Sequence, residues 1–112
     1  MKTDTLQQTL TFCKRIGKLS LGFDAVKADI QLGKACLVLF ATDLSPKTRN
    51  QIEYLCQACA VPSASLPYTM DECWYLIGKR VGILAVQEEA FAKKLASLIQ
   101  NSEKEGGCLY GD

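Results

Sequence analysis

Stretches in which apolar residues recur every three to four positions alternate along the chain with short runs in which they are continuous, and this change of period predicts the elements. Over Thr5 to Ile16, Leu6, Leu10, Cys13 and Ile16 fall on nearly one face, with Lys14 and Arg15 beside it. That is an amphipathic helix, stopped by Gly17. A short extended piece follows at Lys18-Leu19-Ser20. Gly22 then precedes a second helix in which Val26 and Ile30 point inward, and Gly33 closes it. Ala35 to Phe40 is an unbroken apolar run with β-branched and aromatic members, the pattern of a strand buried on both faces.

Ser45-Pro46 reads as an N-cap followed by proline at the first helical position, where the missing N–H costs nothing. The helix it opens places Ile52, Leu55, Cys56 and Cys59 at i, i+3, i+4 and i+7. A brief, edge-like strand is expected at Ser63 to Leu66, between Pro62 and Pro67. Thr69 with Glu72 three residues on forms a capping box for a helix running to Ile77 and ending at Gly78. Val81 to Val86 is the last strand. The final helix, from about Gln87 to Gln100, buries Phe91, Leu95, Leu98 and Ile99, and the residues after Asn101 read as a loose tail. Strict alternation of helix and strand predicts an α/β fold, a three-layer α/β/α sandwich around a mixed, about four-stranded sheet, with Ala35–Phe40 and Val81–Val86 adjacent at its centre. Residues 1–101 then form a single domain and 102–112 a flexible tail.

Composition narrows the chemistry. The chain has 112 residues, and a domain of that size buries roughly two-thirds of its unfolded surface without needing disulfides. Thirteen Lys/Arg against twelve Asp/Glu give a net charge of +1, which excludes a globally cationic nucleic-acid binder but not a local basic patch. There is no histidine, so Ser-His-Asp and Cys-His catalysis, His-ligated zinc and an imidazole base are all excluded. Met1 to Gln8 has no apolar run of signal-peptide length, and no stretch approaches the ~18–20 apolar residues of a membrane span. A cytoplasmic protein is expected, with its six cysteines reduced.

Leu10-Thr11-Phe12-Cys13-Lys14-Arg15-Ile16-Gly17-Lys18-Leu19-Ser20-Leu21-Gly22 and Gly33-Lys34-Ala35-Cys36-Leu37-Val38-Leu39-Phe40-Ala41-Thr42-Asp43-Leu44-Ser45 resemble the kink-turn RNA-binding ribosomal-protein superfamily of the large subunit, most closely its bacterial YlxQ-like branch. The likeness continues through Pro46-Lys47-Thr48-Arg49, Cys56, Val61-Pro62, Gly78-Lys79 and Phe91-Ala92, covering about residues 6–100. It implies the same sandwich and a non-catalytic RNA-binding function, with structured RNA, ribosomal RNA included, as partner. No cofactor, metal, membrane or small-molecule substrate is expected.

In that family the start of the second helix presents glycine, threonine, asparagine, glutamate and a nearby lysine to tandem sheared G·A pairs of a bent RNA. Those positions fall here on Gly22, Phe23, Asp24, Ala25 and Ala28, with Lys27 one residue away; only the glycine is kept. Gly22 as a simple hinge before a helix is the alternative. The family's apolar loop before the last strand corresponds to Gly78-Lys79-Arg80-Val81-Gly82, whose two cations suit phosphate contact; an ordinary solvated turn is the alternative. Lys14, Arg15, Lys18, Lys27 and Lys34 stand against Asp24 and Asp29, so a basic face forms if the fold brings Lys79 and Arg80 alongside, scattered surface lysines being the alternative. The expected RNA-binding residues are therefore Gly22, Phe23, Asp24, Lys27, Lys34, Lys79 and Arg80.

Cys56-Gln57-Ala58-Cys59 has metal or redox spacing, but both sulfurs are expected on a buried helix face, and no metal is expected there. Trp74-Tyr75 offers either a base-stacking surface or a core filler, the latter being favoured. Loss of three motif side chains leaves a second function open, a protein-interaction module on the same fold. An enzyme is a distant third: Thr42, Asp43 and Ser45 could line a crevice at the end of the central strand, but nothing there supplies a base.

Overall fold

The computed structural model describes residues 2–108, with side chains over residues 5–99. Its elements are α1 (Lys2–Arg15), β1 (Leu19–Leu21), α2 (Phe23–Gln31), β2 (Leu37–Phe40), α3 (Pro46–Ala58), β3 (Ser63–Ser65), α4 (Met70–Ile77), β4 (Ile83–Val86) and α5 (Glu89–Cys108). They build one four-stranded sheet in the order β1-β4-β2-β3. β4 pairs antiparallel with both β1 and β2, while β2 and β3, joined by the α3 crossover, are parallel. The two continuous apolar runs are the two central strands, and every residue of β2 and β4 is buried.

Alternation along these strands divides the core between two faces. Leu37, Leu39, Leu84 and Val86 pack with Leu6, Leu10 and Cys13 of α1, Cys73 and Ile77 of α4, and Leu95 and Ile99 of α5. Val38, Phe40, Ile83 and Ala85 pack with Val26 and Ile30 of α2 and Ile52 and Cys56 of α3. The result is the three-layer α/β/α sandwich. At the outer edge Arg49 donates to Ser65 Oγ at 2.8 Å and lies 5.0 Å from the Phe40 ring centroid, tying α3 to the short β3.

Helix ends account for several departures from the hydrophobic pattern. Ile16 is expected beside Leu6 and Leu10 but is 41% exposed. α1 stops at Arg15, and Gly17, at φ 75°, closes it with bonds from Gly17 N to Lys14 O and from Lys18 N to Cys13 O. This Schellman turn takes Ile16 off the helical face. Phe12 instead packs edge-on against Phe91, with ring centroids 5.5 Å apart. Cys59 is likewise not on the buried face with Cys56. α3 ends at Ala58, and Cys59 is its exposed C-cap residue. Ser45 holds the N-cap position of α3 with Pro46 at its start, without a side-chain capping bond. α5 continues to Cys108, past the Asn101 at which the apolar pattern stops, and the last tail residues, 109–112, lie outside the described residues.

The turn after α3 contains a strained residue. Ala60 has φ 58°, and the bonds Ala60 N to Gln57 O and Val61 N to Cys56 O repeat the closure seen at Gly17, with alanine where glycine is favoured. The left-handed conformation costs an L-residue roughly 1–2 kcal/mol, while glycine loses about 0.4–1 kcal/mol through its freer unfolded chain. Ala60→Gly should therefore stabilise the protein by up to about 1.6 kcal/mol, measured as a raised urea midpoint at unchanged m-value; a lowered midpoint would contradict this reading of the turn.

Candidate nucleic-acid interface

The first turn of α2 is set by a glycine that no other residue replaces cheaply. Gly22, the N-cap, has φ 97° and ψ 165°, a region open essentially only to glycine. Its N–H donates to Ile83 O at 2.9 Å and its carbonyl accepts from Val26 N at 3.0 Å. This pins the start of α2 to the point where β4 begins. The first helical N–H groups, at Phe23, Asp24 and Ala25, have no acceptor within the helix and carry the positive end of its dipole. Lys27 folds back along the helix, its Nζ 6.0 Å from the centroid of the half-buried Phe23 ring, so its charge also lies at this end. Asp24 is exposed in the first turn.

A part-buried polar cluster, which the apolar pattern does not reveal, fastens α2 to the sheet. Asp29 is 7% exposed on the inward arc between Val26 and Ile30. Its carboxylate accepts from Ser20 Oγ of β1 and, at 2.8 Å, from Gln87 Nε2 just beyond β4; the same amide nitrogen contacts Ser20 Oγ at 2.8 Å. The one available signal was an acidic residue at an inward helical position.

The segment between α4 and β4 reaches the same end of the sheet. α4 starts with the expected capping box: Thr69 Oγ1 accepts from Glu72 N at 3.2 Å, and Glu72 Oε1 accepts from Thr69 N at 2.8 Å. Asp43, beyond the end of β2, accepts from Met70 N at 2.9 Å. This bond ties the exit of β2 to the first turn of α4. Gly78 ends α4 in the left-handed conformation, Lys79 and Arg80 are exposed, and Val81 and Gly82 are buried. Gly82 O accepts from Ala41 N at 2.9 Å, and a Cβ at Gly82 would stand 2.7 Å from Leu44 Cδ1. Arg80 Nε donates to Asp71 Oδ1 at 2.8 Å, which raises the already high pKa of its guanidinium.

Of the seven expected residues, the structure places Gly22, Phe23, Asp24 and Lys27 at the start of α2, and Lys79 and Arg80 on the segment leading into β4, at the same end of the sheet. It does not bring Lys34 there. Lys34 follows the C-terminal turn of α2, its N–H bonded to Asp29 O, and leads into the opposite end of the sheet, where Cys36 N donates to Val86 O. A nine-residue helix separates the two ends by about 14 Å. Lys18, whose carbonyl accepts from Gln87 N, also lies at that far end. Lys14 and Arg15 line a shallow cleft with Thr11, Leu76 and Ile77. The expected basic face is therefore divided.

Trp74 is not a core filler. Cys73 and Ile77, four apart, occupy the buried face of α4, and Trp74 lies about 100° round from Cys73, 56% exposed. The thiols of Cys56 and Cys73 are pushed up to about 11, chiefly by burial and then by Glu53 and Asp43 respectively. Among the described residues no group of three or more Cys, Asp or Glu is placed to hold a metal ion, and no helix is long and apolar enough to cross a membrane.

The family model for ribosomal protein L7Ae/L30e/S12e/Gadd45 matches residues 4–96, which span every element of the sheet. The chain belongs to this family. A curated relative, the "RNA-binding protein YlxQ" of Enterococcus faecium, is 33% identical over 86 residues, covering 77% of this chain and 82% of that protein. A solved structure described as a protein with unknown function from Bacillus halodurans C superimposes with a TM-score of 0.80 at 24% identity, over 85% of this chain and 96% of that one. That structure shares the L7Ae-type sandwich seen here. Within this fold the glycine before α2 should be a structural requirement of the chain: Gly22→Ala should cost about 1–3 kcal/mol through backbone strain alone, since its Cβ would meet nothing within 4 Å. Chemical denaturation reads this directly, and a loss under about 0.5 kcal/mol would contradict it.

Proposed function

We propose that this protein is a non-catalytic, cytoplasmic RNA-binding protein that holds a kinked or otherwise sharply structured RNA against the end of the sheet where α2 starts and β4 begins. The observation that supports this reading is the hydrogen bond from Gly22 to Ile83, which ties the first turn of α2 to the start of β4, the strand that the Lys79-Arg80 segment leads into. A helix N-terminus offers aligned N–H donors and a partial positive charge to phosphate. Lys27, Lys79 and Arg80 add point charges around it. Asp24 repels phosphate but can accept a hydrogen bond from a guanine edge, so it is the side chain best suited to read a base there. Membership of the L7Ae-type family and likeness to a protein named for RNA binding support this assignment. Kink-turn RNA and ribosomal RNA fragments are the ligands that resemblance favours.

One observation favours the second reading, a protein-interaction module. Ala25 and Ala28 are exposed and short, and Phe23 presents a ring where the family motif has a hydroxyl. A surface of that kind has fewer donors for base edges. The two readings separate by measuring affinity for a kink-turn RNA and an unkinked duplex over a range of salt. Tighter binding of the kinked RNA is expected. Lys27→Ala, Lys79→Ala and Arg80→Ala should each reduce the salt slope by about 0.7–0.9, the contribution of one phosphate contact. Lys34→Ala should leave the slope unchanged. Equal effects at all four positions would mean diffuse charge attraction, and a folded protein that binds neither RNA would leave the interaction module as the function.

A further inference from the structure

The sheet ends in an open edge at β3. This strand is the last in the order β1-β4-β2-β3, with Ser63 exposed and Ala64 and Ser65 half-buried. Two bonds fix the phase of its ladder with β2: Val38 N donates to Pro62 O at 3.0 Å, and Leu66 N donates to Phe40 O at 2.7 Å. Residues 62, 64 and 66 therefore turn their backbone groups toward β2, and alternation along the strand turns those of Ser63 and Ser65 outward. They face a groove of about 360 Å³ that wraps the edge, with Arg49 and Glu53 of α3 on one side and Ala96 and Ile99 of α5 on the other. Leu37, Pro62 and Ala96 also line a second cavity, of about 340 Å³, so the groove continues past the start of β3 toward Ala35 and Cys36.

We propose that this edge is a docking site for an extended peptide segment of a partner protein, which adds to the sheet as a fifth strand beside β3. The site shares no residue with the RNA surface described above and does not depend on it. The backbone decides the kind of occupant, since outward N–H and C=O groups at every second residue match another extended chain. Charge argues against nucleic acid. The cations on the groove's walls are already paired, Arg49 with Glu53 at 3.3 Å and Lys93 with Glu89 at 3.6 Å, which leaves the lining without net positive charge to hold a phosphate. The edge is also recessed between α3 and α5, so the identically recessed edge of a second copy cannot reach it, whereas a free segment can. Side chains of the added strand alternate between the two walls. Those toward α5 meet Leu37, Ala96 and Ile99 and are apolar; those toward α3 meet Arg49 and Glu53 and are polar.

Random linear peptides of about ten residues, displayed on phage and selected on the full chain, supply the probes. Selected peptides should carry an apolar residue at every second position. Ser63→Pro removes one outward N–H and spares the pairing of β3 with β2, because an edge strand accepts proline where its N–H faces solvent. It should weaken a selected peptide by about 2- to 13-fold, the loss of one backbone hydrogen bond. Ala96→Lys, which narrows the groove from the α5 wall, should weaken it as well, and decides the matter together with the peptide series if Ser63→Pro fails to fold. In that series alternate amide nitrogens of the peptide are methylated: one set should abolish binding and the other leave it unchanged, the signature of strand addition. Hydrogen exchange at Ser63 and Ser65 should slow on binding. Peptides that tolerate both methylation sets alike, or a selection that yields none preferring the parent to the two variants, would overturn the proposal. A dimer in sedimentation velocity that Ser63→Pro dissociates would assign the edge to a second copy and overturn it too.

Discussion

The antiparallel ladder between β2 and β4 leaves neither face of its strands in water, and this requires helices on both sides of the sheet. The chain meets the requirement by sending α1, α4 and α5 to one face and α2 and α3 to the other. Since α2 must cross one face and return through the Gly33 turn to enter β2, its two ends lie at opposite ends of the sheet. The same geometry brings its first turn against the entry to β4. The placement of the candidate interface is thus a consequence of covering two buried strands, with Gly22 as the residue whose backbone makes the junction possible.

The central strands, the capping box at Thr69 and Glu72, the edge strand between two prolines and the layer order were all legible because each depends on local pattern. Where the pattern misled, a helix end was the cause. Ile16 and Cys59 keep helical spacing in the sequence but lie in closing turns, and neither points inward. Trp74 was read by its size, although Cys73 and Ile77 already fill the inward arc of its short helix. Hydrophobic periodicity gives the phase of an element better than its last residue, and one residue of helix is about 100° of direction.

The site was legible in part for a similar reason. Gly22 through Lys27 and Lys79-Arg80 are two local segments that the sheet joins through one backbone bond. Lys34 is close in sequence to the first segment and remote from it in space, because it lies beyond the helix rather than at its start. Charge counting along the chain cannot distinguish these cases. The Ser20–Asp29–Gln87 cluster was hidden altogether, since its three members come from β1, α2 and the end of β4 and meet only once the sheet has formed. It holds α2 in position, and thereby the orientation of the N–H groups that the proposed function uses.

Amide chemical-shift mapping of the isotopically labelled protein during titration with a kink-turn RNA tests the central claim most directly, because it reads every backbone N–H at once. The account predicts that the largest changes fall on Gly22 through Lys27 and Gly78 through Gly82, with Lys34, Ala35, Cys36, Ala60 and Val61 at the far end unmoved. Largest changes at that far end, or an unchanged spectrum at saturating RNA, would contradict it.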